Sequence, residues 1–259
     1  MRAIASRFAQ DMDQVVMATE LTALSIRLAQ VEFGKQKSPR EAVKIAKELQ
    51  GKISGMQNPS VLFFEGTFLS TCAQYELAVR DLLEKFVAAA SAKMKDFNHL
   101  PREMRDWHPQ GCAKLILNLD KDKHRHLTAD QIVRSLASCV TYSIKKPYSL
   151  TAEAFSNNEN NFRSGVIEQH IDRIGLKKVW QKLSRNQGLQ TYLRTNSDAL
   201  TEEFAKKKLD AIIEKRNHII HRGRAYAAPG ESEVKEAAGF LKQLVTSITD
   251  TLEAHRQAI

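Results

Sequence analysis

Apolar residues recur along this chain at intervals of three and four, and over no long stretch do they alternate with polar ones. Over residues 12–33 the apolar positions are Val15, Val16, Leu21, Leu24, Leu28 and Val31, a spacing that predicts a first helix. Residues 38–41 then read as a helix start, with Ser38 as N-cap, Pro39 in the first helical position and Glu41 completing a capping box. That helix is expected to stop near residue 50 at Gly51, with a loop over 51–60. A long helix over about 60–95 follows, striped by Phe64, Phe68, Leu69, Cys72, Val79, Leu82, Leu83, Phe86 and Val87. Two prolines and a glycine in residues 98–111 are expected to break it.

Shorter elements come next: a helix near 112–119, a charged connector at 121–126, and a second capping box at 128–131 opening a helix to about residue 143. The polar, asparagine-rich stretch 147–161 reads as a surface loop. Helices near 162–174 and 175–186 join at Gly175. The best-defined helix covers 198–222, with Gly223 placed to end it in a left-handed cap, and a last amphipathic helix covers 232–255. The fold class expected is therefore all-α, a helical bundle in one domain over 1–259. Residues 1–58 would form an N-terminal helical extension and 59–259 the bundle proper.

Composition agrees with this pattern. Only 6 Pro and 11 Gly serve 259 residues, too few for an all-β chain of many turns, and 42% hydrophobic residues suit a packed core. The formal charge of +9 permits attraction to nucleic-acid phosphates. Cys72, Cys112 and Cys139 are odd in number and show no CxxC spacing, which speaks against a disulfide framework and a zinc site. No apolar run approaches a membrane span and the first residues lack a signal-peptide core, so a cytoplasmic protein without cofactor or membrane contact is expected.

Chemistry concentrates in one helix. In KLDAIIEKRNHIIHRG, residues 208–223, the apolar positions are Leu209, Ile212, Ile213, Ile219 and Ile220. Arg216 lies four after Ile212 and four before Ile220, on the apolar stripe, where a guanidinium needs a partner or a functional cavity. Asn217 and His221, four apart, share an adjoining face. On the long helix Glu76 also occupies the stripe, four after Cys72 and three before Val79. A pair between Glu76 and Arg216 is expected, serving either a site or the register of the core. Arg102 with His108 and Arg163 with His170 stand at neighbouring spacings but lack the asparagine and the glycine stop. His124 and His126 read as a solvated connector, Lys206, Lys207 and Lys208 as a solvated helix face, and Trp107 and Trp180 as core anchors.

With these residues in place, RNHIIH at 216–221 resembles the Arg-x4-His motif of the HEPN superfamily of all-helical ribonuclease domains, in which an Asn often follows the Arg. AQYELAVRDLL at 73–83, NFRSGVIEQHIDRIGL at 161–176 and the Gly after the motif make the setting similar to the RiboL-PSP-HEPN branch, over roughly residues 60–255. The resemblance implies metal-independent RNA cleavage by attack of the ribose 2′-OH. Arg216 and His221 would be the catalytic pair, with Asn217 contacting substrate or orienting His221, and Glu76 holding Arg216. Lys215, Arg222 and Arg224 would touch the RNA backbone. It further implies a homodimer with a composite site, and a toxin or anti-phage defence role with an antitoxin or other regulatory protein as partner. A non-catalytic HEPN scaffold or sensor, or an RNA-binding module, stays open beside the nuclease.

Overall fold

Helix α1 (Arg2–Gln30) buries Ala5, Phe8, Met12, Val15, Thr19 and Ala23, one side chain every three or four residues. It belongs to a computed structural model that describes residues 1–30, 40–54, 59–120, 126–141, 147–157, 161–221 and 227–259. Among these residues all regular structure is helical, with eleven α-helices, one 3-10 turn and no strand. The helix begins ten residues before its expected start and turns another face inward. Leu21 and Leu24, counted on the stripe from spacing alone, are more than half exposed. Thr19 takes the inward place instead, its hydroxyl donating to the Val15 carbonyl at 2.7 Å so that burial leaves no polar atom unpaired.

Helix α2 (Arg40–Ser54) packs on α1 and runs through Gly51, which therefore does not stop it. Ser38 and Pro39 of the expected capping box lie outside the described residues. Helix α3 (Pro59–Lys93) is the expected long helix, and Phe68, Cys72, Val79, Leu82, Leu83, Phe86 and Val87 are all buried along it. A 3-10 turn (Phe97–His99) follows, capped by the Asp96 side chain.

The segment expected to break the chain at 98–111 is largely helix α4 (Arg102–Ile116), with Pro109 inside it. Breaker residues weigh a kcal/mol or a few, and tertiary packing overrides them. The glycine has a specific reason. A Cβ on Gly111 would stand 2.4 Å from the Ala154 carbonyl oxygen and 2.9 Å from Trp107 Nε1. The gap lets Trp107 donate to that same carbonyl at 2.9 Å.

Helix α5 (Ala129–Val140) opens with the full Thr128–Gln131 capping box. Among its described residues the expected surface loop 147–161 contains a short helix, α6 (Glu153–Ser156), whose Ala154, Phe155 and Ser156 are buried. Gly175, at φ +85°, joins α7 (Ser164–Asp172) to α8 (Val179–Leu183), and α9 (Gln187–Leu193), unforeseen in the pattern, follows before Arg194 at φ 55°. Helix α10 (Asp198–His221) and α11 (Glu231–Ala258) complete the chain. Helices α1, α3 and α11 pack together as the long axis of the bundle, α10 lies on α3, α7, α8 and α9, and α4 lies on α5 and α6. The N-terminal helix thus shares the core. Trp180 is buried, as expected of a core anchor, whereas Trp107 is only half-buried. Among the described residues no helix is long and apolar enough to cross a membrane.

Candidate active site

The inward face of α10 is Thr201, Ala205, Leu209, Ile212, Ile213 and Ile219, with Arg216 in the gap between the last two. Ile220 is 46% exposed, so Ile219 alone continues the stripe past Arg216. Arg216 and Asn217 are half-buried, and His221 is exposed in the final turn. Arg222, Gly223 and Arg224 lie outside the described residues.

The Asn217 amide oxygen accepts from Arg216 Nη1 at 3.1 Å and from Asn161 Nδ2 at 2.6 Å. Two donors on one oxygen fix the asparagine and, through it, the guanidinium. The oxygen of Asn217 is thus spent on Arg216 and Asn161, and its amide nitrogen is what remains for a substrate or for His221.

Asn161 had no assigned role in the sequence, although it opens the segment 161–176 on which the resemblance partly rests. Its placement is explained by what holds the next residues. Tyr75, fully buried on α3, donates its hydroxyl to the Phe162 carbonyl at 3.0 Å. Asp210 on α10 accepts the Ser164 N–H at 2.8 Å and its hydroxyl at 2.6 Å. Trp180 donates to the Ser164 carbonyl at 3.0 Å. Asp210 thus caps α7 from another helix, satisfying an orphan N–H and placing a negative charge at the positive end of the dipole. The same grip brings Asn161 to Asn217.

Glu76 stands below on α3, half-buried, and its Oε1 is shielded from solvent with no hydrogen-bond partner. Burial raises its pKa, and the charges of Arg216 and Arg80 oppose that rise. The two groups expected to pair are therefore close enough to feel each other, but no ion pair within 4.0 Å joins Glu76 to Arg216. Cys72, one turn earlier and fully buried, has its thiol pushed up to about 12 by burial and by the Glu76 charge, with Arg216 acting against both. It stays protonated and inert.

The remaining basic candidates are engaged. Lys215 reaches Glu233 in the first turn of α11, and Lys208 reaches Glu236 one turn further on, so both tie α10 to α11. Lys206 pairs with Glu202 at 2.5 Å and Lys207 with Glu203 at 2.9 Å, each four residues apart on α10. His126 contacts Glu153 at 3.2 Å. His124 lies outside the described residues. Among the described residues no group of three His, Cys, Asp or Glu side chains is arranged to hold a metal ion.

The last turns of α10 carry a guanidinium held by an asparagine and, at its end, an exposed imidazole, and the shielded Glu76 carboxylate on α3 lies within the electrostatic reach of the guanidinium. The cation can bind an anion, and the imidazole can carry a proton near neutrality. The RiboL-PSP-HEPN family model matches residues 40–254, from the start of α2 to near the end of α11. Neither a curated protein nor a solved structure matches the chain.

Proposed function

The chain belongs to the RiboL-PSP-HEPN family, and from that premise we propose that it is a cytoplasmic, metal-independent endoribonuclease acting at Arg216, Asn217, His221 and Glu76. One observation supports this above the others: an exposed His221 closes the same helix that carries a half-buried, hydrogen-bonded Arg216. A histidine at that position contributes little to a core and is free to meet substrate.

The chemistry follows from these groups. The ribose 2′ oxygen attacks the adjacent phosphorus. A base takes its proton, the bond from phosphorus to the 5′ oxygen breaks, and an acid returns a proton to that oxygen. The guanidinium of Arg216 stabilises the charge gathering on the phosphoryl oxygens through two of its donors. Glu76, with its oxygen unfilled, receives Arg216 or a substrate hydroxyl when RNA enters. One chain supplies one such histidine, whereas the reaction uses a base and an acid. Two copies facing across a twofold axis, each presenting the end of α10, supply both. Arg222 and Arg224, next in sequence after His221, would contact the RNA backbone, while Lys215 serves mainly to hold α10 on α11. An antitoxin or other regulatory protein would restrain such an activity in a toxin or defence setting.

The test is direct. Purified protein incubated with RNA in EDTA should leave 2′,3′-cyclic phosphate and 5′-hydroxyl ends, with specific activity falling on dilution through the dimer dissociation range. Activity lost in EDTA and restored by Mg²⁺ or Mn²⁺ would overturn the mechanism. Absence of cleavage with intact RNA binding would favour the non-catalytic module.

A further inference from the structure

On the side of the bundle where α4 meets α6 and α7, two cations share one aromatic ring. The Arg173 guanidinium carbon lies 3.8 Å from the centroid of Trp107, and Lys114 Nζ lies 5.0 Å from it. The ring is fixed by its hydrogen bond to the Ala154 carbonyl and by the space Gly111 leaves. A guanidinium stacked on a fixed ring has its plane set in advance.

Next to it is His170, 1% exposed. Its Nδ1 lies 2.6 Å from the Phe155 carbonyl, to which it can only donate, so Nε2 is left to accept from Arg173 Nη1 at 3.1 Å. The imidazole is neutral. Burial pushes its pKa down to about 4, and Arg173, Arg80 and Lys114 all push the same way. Arg173 contacts this neutral ring, and the charges of Lys114 and Arg80 reach it, that of Arg80 acting also on Glu76, Asp81 and Glu84. Among the described residues none of the three cations forms an ion pair with a carboxylate, and Arg173 spends one N–H on His170 and keeps its other donors free.

Most acids nearby have a partner, although Asp172 Oδ1 is buried without one. Glu84, on α3 with Arg80, receives the Ser156 hydroxyl, and burial raises its pKa. Glu153 meets His126, and Asp172 meets Lys177 at 3.7 Å. A half-buried guanidinium that forms no ion pair among the described residues, beside the further charge of Lys114, is a costly arrangement unless an anion joins it.

We infer that Arg173 and Lys114, carried on the Trp107 ring, form a phosphate-binding site distinct from the motif at the end of α10, with the charge of Arg80 adding to its field. The planar fork of Arg173 takes two phosphate oxygens, and Lys114 adds a point charge at the rim. The charge of Arg80 on α3 acts on both Glu76 and His170, which links the two regions, and a further phosphate of an RNA strand held at Arg216 is the occupant this site would take. The phosphate comes from RNA on that reading, which rests on the nuclease function above; a free nucleotide or inorganic phosphate presents the same chemistry.

The experiment uses Lys114→Glu and Arg173→Gln in a His221→Ala background, in which cleavage is slowed enough for binding to be read. Binding of a short single-stranded RNA is followed by fluorescence anisotropy over a salt series, and binding of inorganic phosphate and a nucleoside monophosphate by melting shift. Each variant should weaken RNA binding roughly tenfold and flatten the salt slope by about 0.7 for each cation lost. Unchanged RNA affinity, with loss of the melting shift given by phosphate or the monophosphate, would keep the site and assign it to a free ligand. Wild-type behaviour of both variants in both arms overturns the inference. Lys114 is exposed, so Lys114→Glu decides the matter if Arg173→Gln fails to fold. The two readings also fail separately. A chain that cleaves RNA while these variants bind like the parent refutes only the phosphate site. A chain that cleaves nothing while its phosphate binding depends on Lys114 refutes only the nuclease.

Discussion

Arg216 and Glu76 sit near each other without touching, and their neighbours decide what each removal does. Arg216 is held by Asn217, so Arg216→Ala should abolish cleavage and also lower the melting temperature. His221 is exposed and should behave differently. His221→Ala is expected to cut the cleavage rate by about 10²–10⁴-fold with the melting temperature nearly unchanged and RNA still bound. Wild-type cleavage by that variant would end the catalytic reading. For Glu76 the sign of the stability effect follows from its raised pKa. A carboxyl whose folded pKa exceeds the unfolded one favours folding below the unfolded pKa, and that gain disappears as pH rises through the folded value. At neutral pH the charged Glu76 is therefore a burden on the fold. Glu76→Gln should be at least as stable as the parent in urea at pH 7 while cleaving more slowly. A clear loss of stability would instead mean that a pair with Arg216 forms after all.

At the scale of elements, one side chain does the work of a missing loop sequence signal. Asp210 caps α7 from α10 and so sets where Asn161 lies. Asp210→Ala should cost about 1–2 kcal/mol, as lost caps do, and should reduce cleavage although Asp210 is a turn and a half from Arg216. Asp210→Asn, which can still accept the N–H, should recover part of both; equal loss in the two variants would point to charge rather than capping. This tertiary cap also shows why legibility was uneven. Helix α3, α10 and the Thr128 box could be read because their signals are local: a 3.6-residue stripe, or two residues three apart. Helix α4 could not, because the contact that tolerates Gly111 comes from Ala154, 43 positions on. The inward face of α1 was misjudged because a threonine that bonds its own backbone replaces the expected leucines there. Arg216 and Glu76 were legible as charged residues out of place on apolar stripes, and Asn217 and His221 as polar residues four apart on the face adjoining Arg216. Asn161 was not, since its meaning depends on Tyr75 and Asp210 bringing distant segments together.

For the molecule as a whole, buried histidines set its response to acid. His108 accepts the Thr151 N–H at 3.0 Å and His170 accepts from Arg173, and burial brings each down to about 4 from 6.5. Depressed values mean that the unfolded chain takes up protons first, so stability present above pH 6.5 is lost as pH falls towards 4. The full effect is on the order of 3 kcal/mol per histidine, partly offset by Glu76, Glu84 and Asp81, whose raised values act in the opposite direction. The urea midpoint should fall between pH 7 and pH 4.5, and a flat profile would contradict the assignment. Cys72 gives the same molecule a clock. It lies sealed under Glu76 and Arg216, protonated, and beyond the reach of reagents while α3 and α10 stay closed. An alkylating probe can meet it only during excursions that open the core around α3, so the rate at which Cys72 is labelled counts how often the floor of the proposed site breathes.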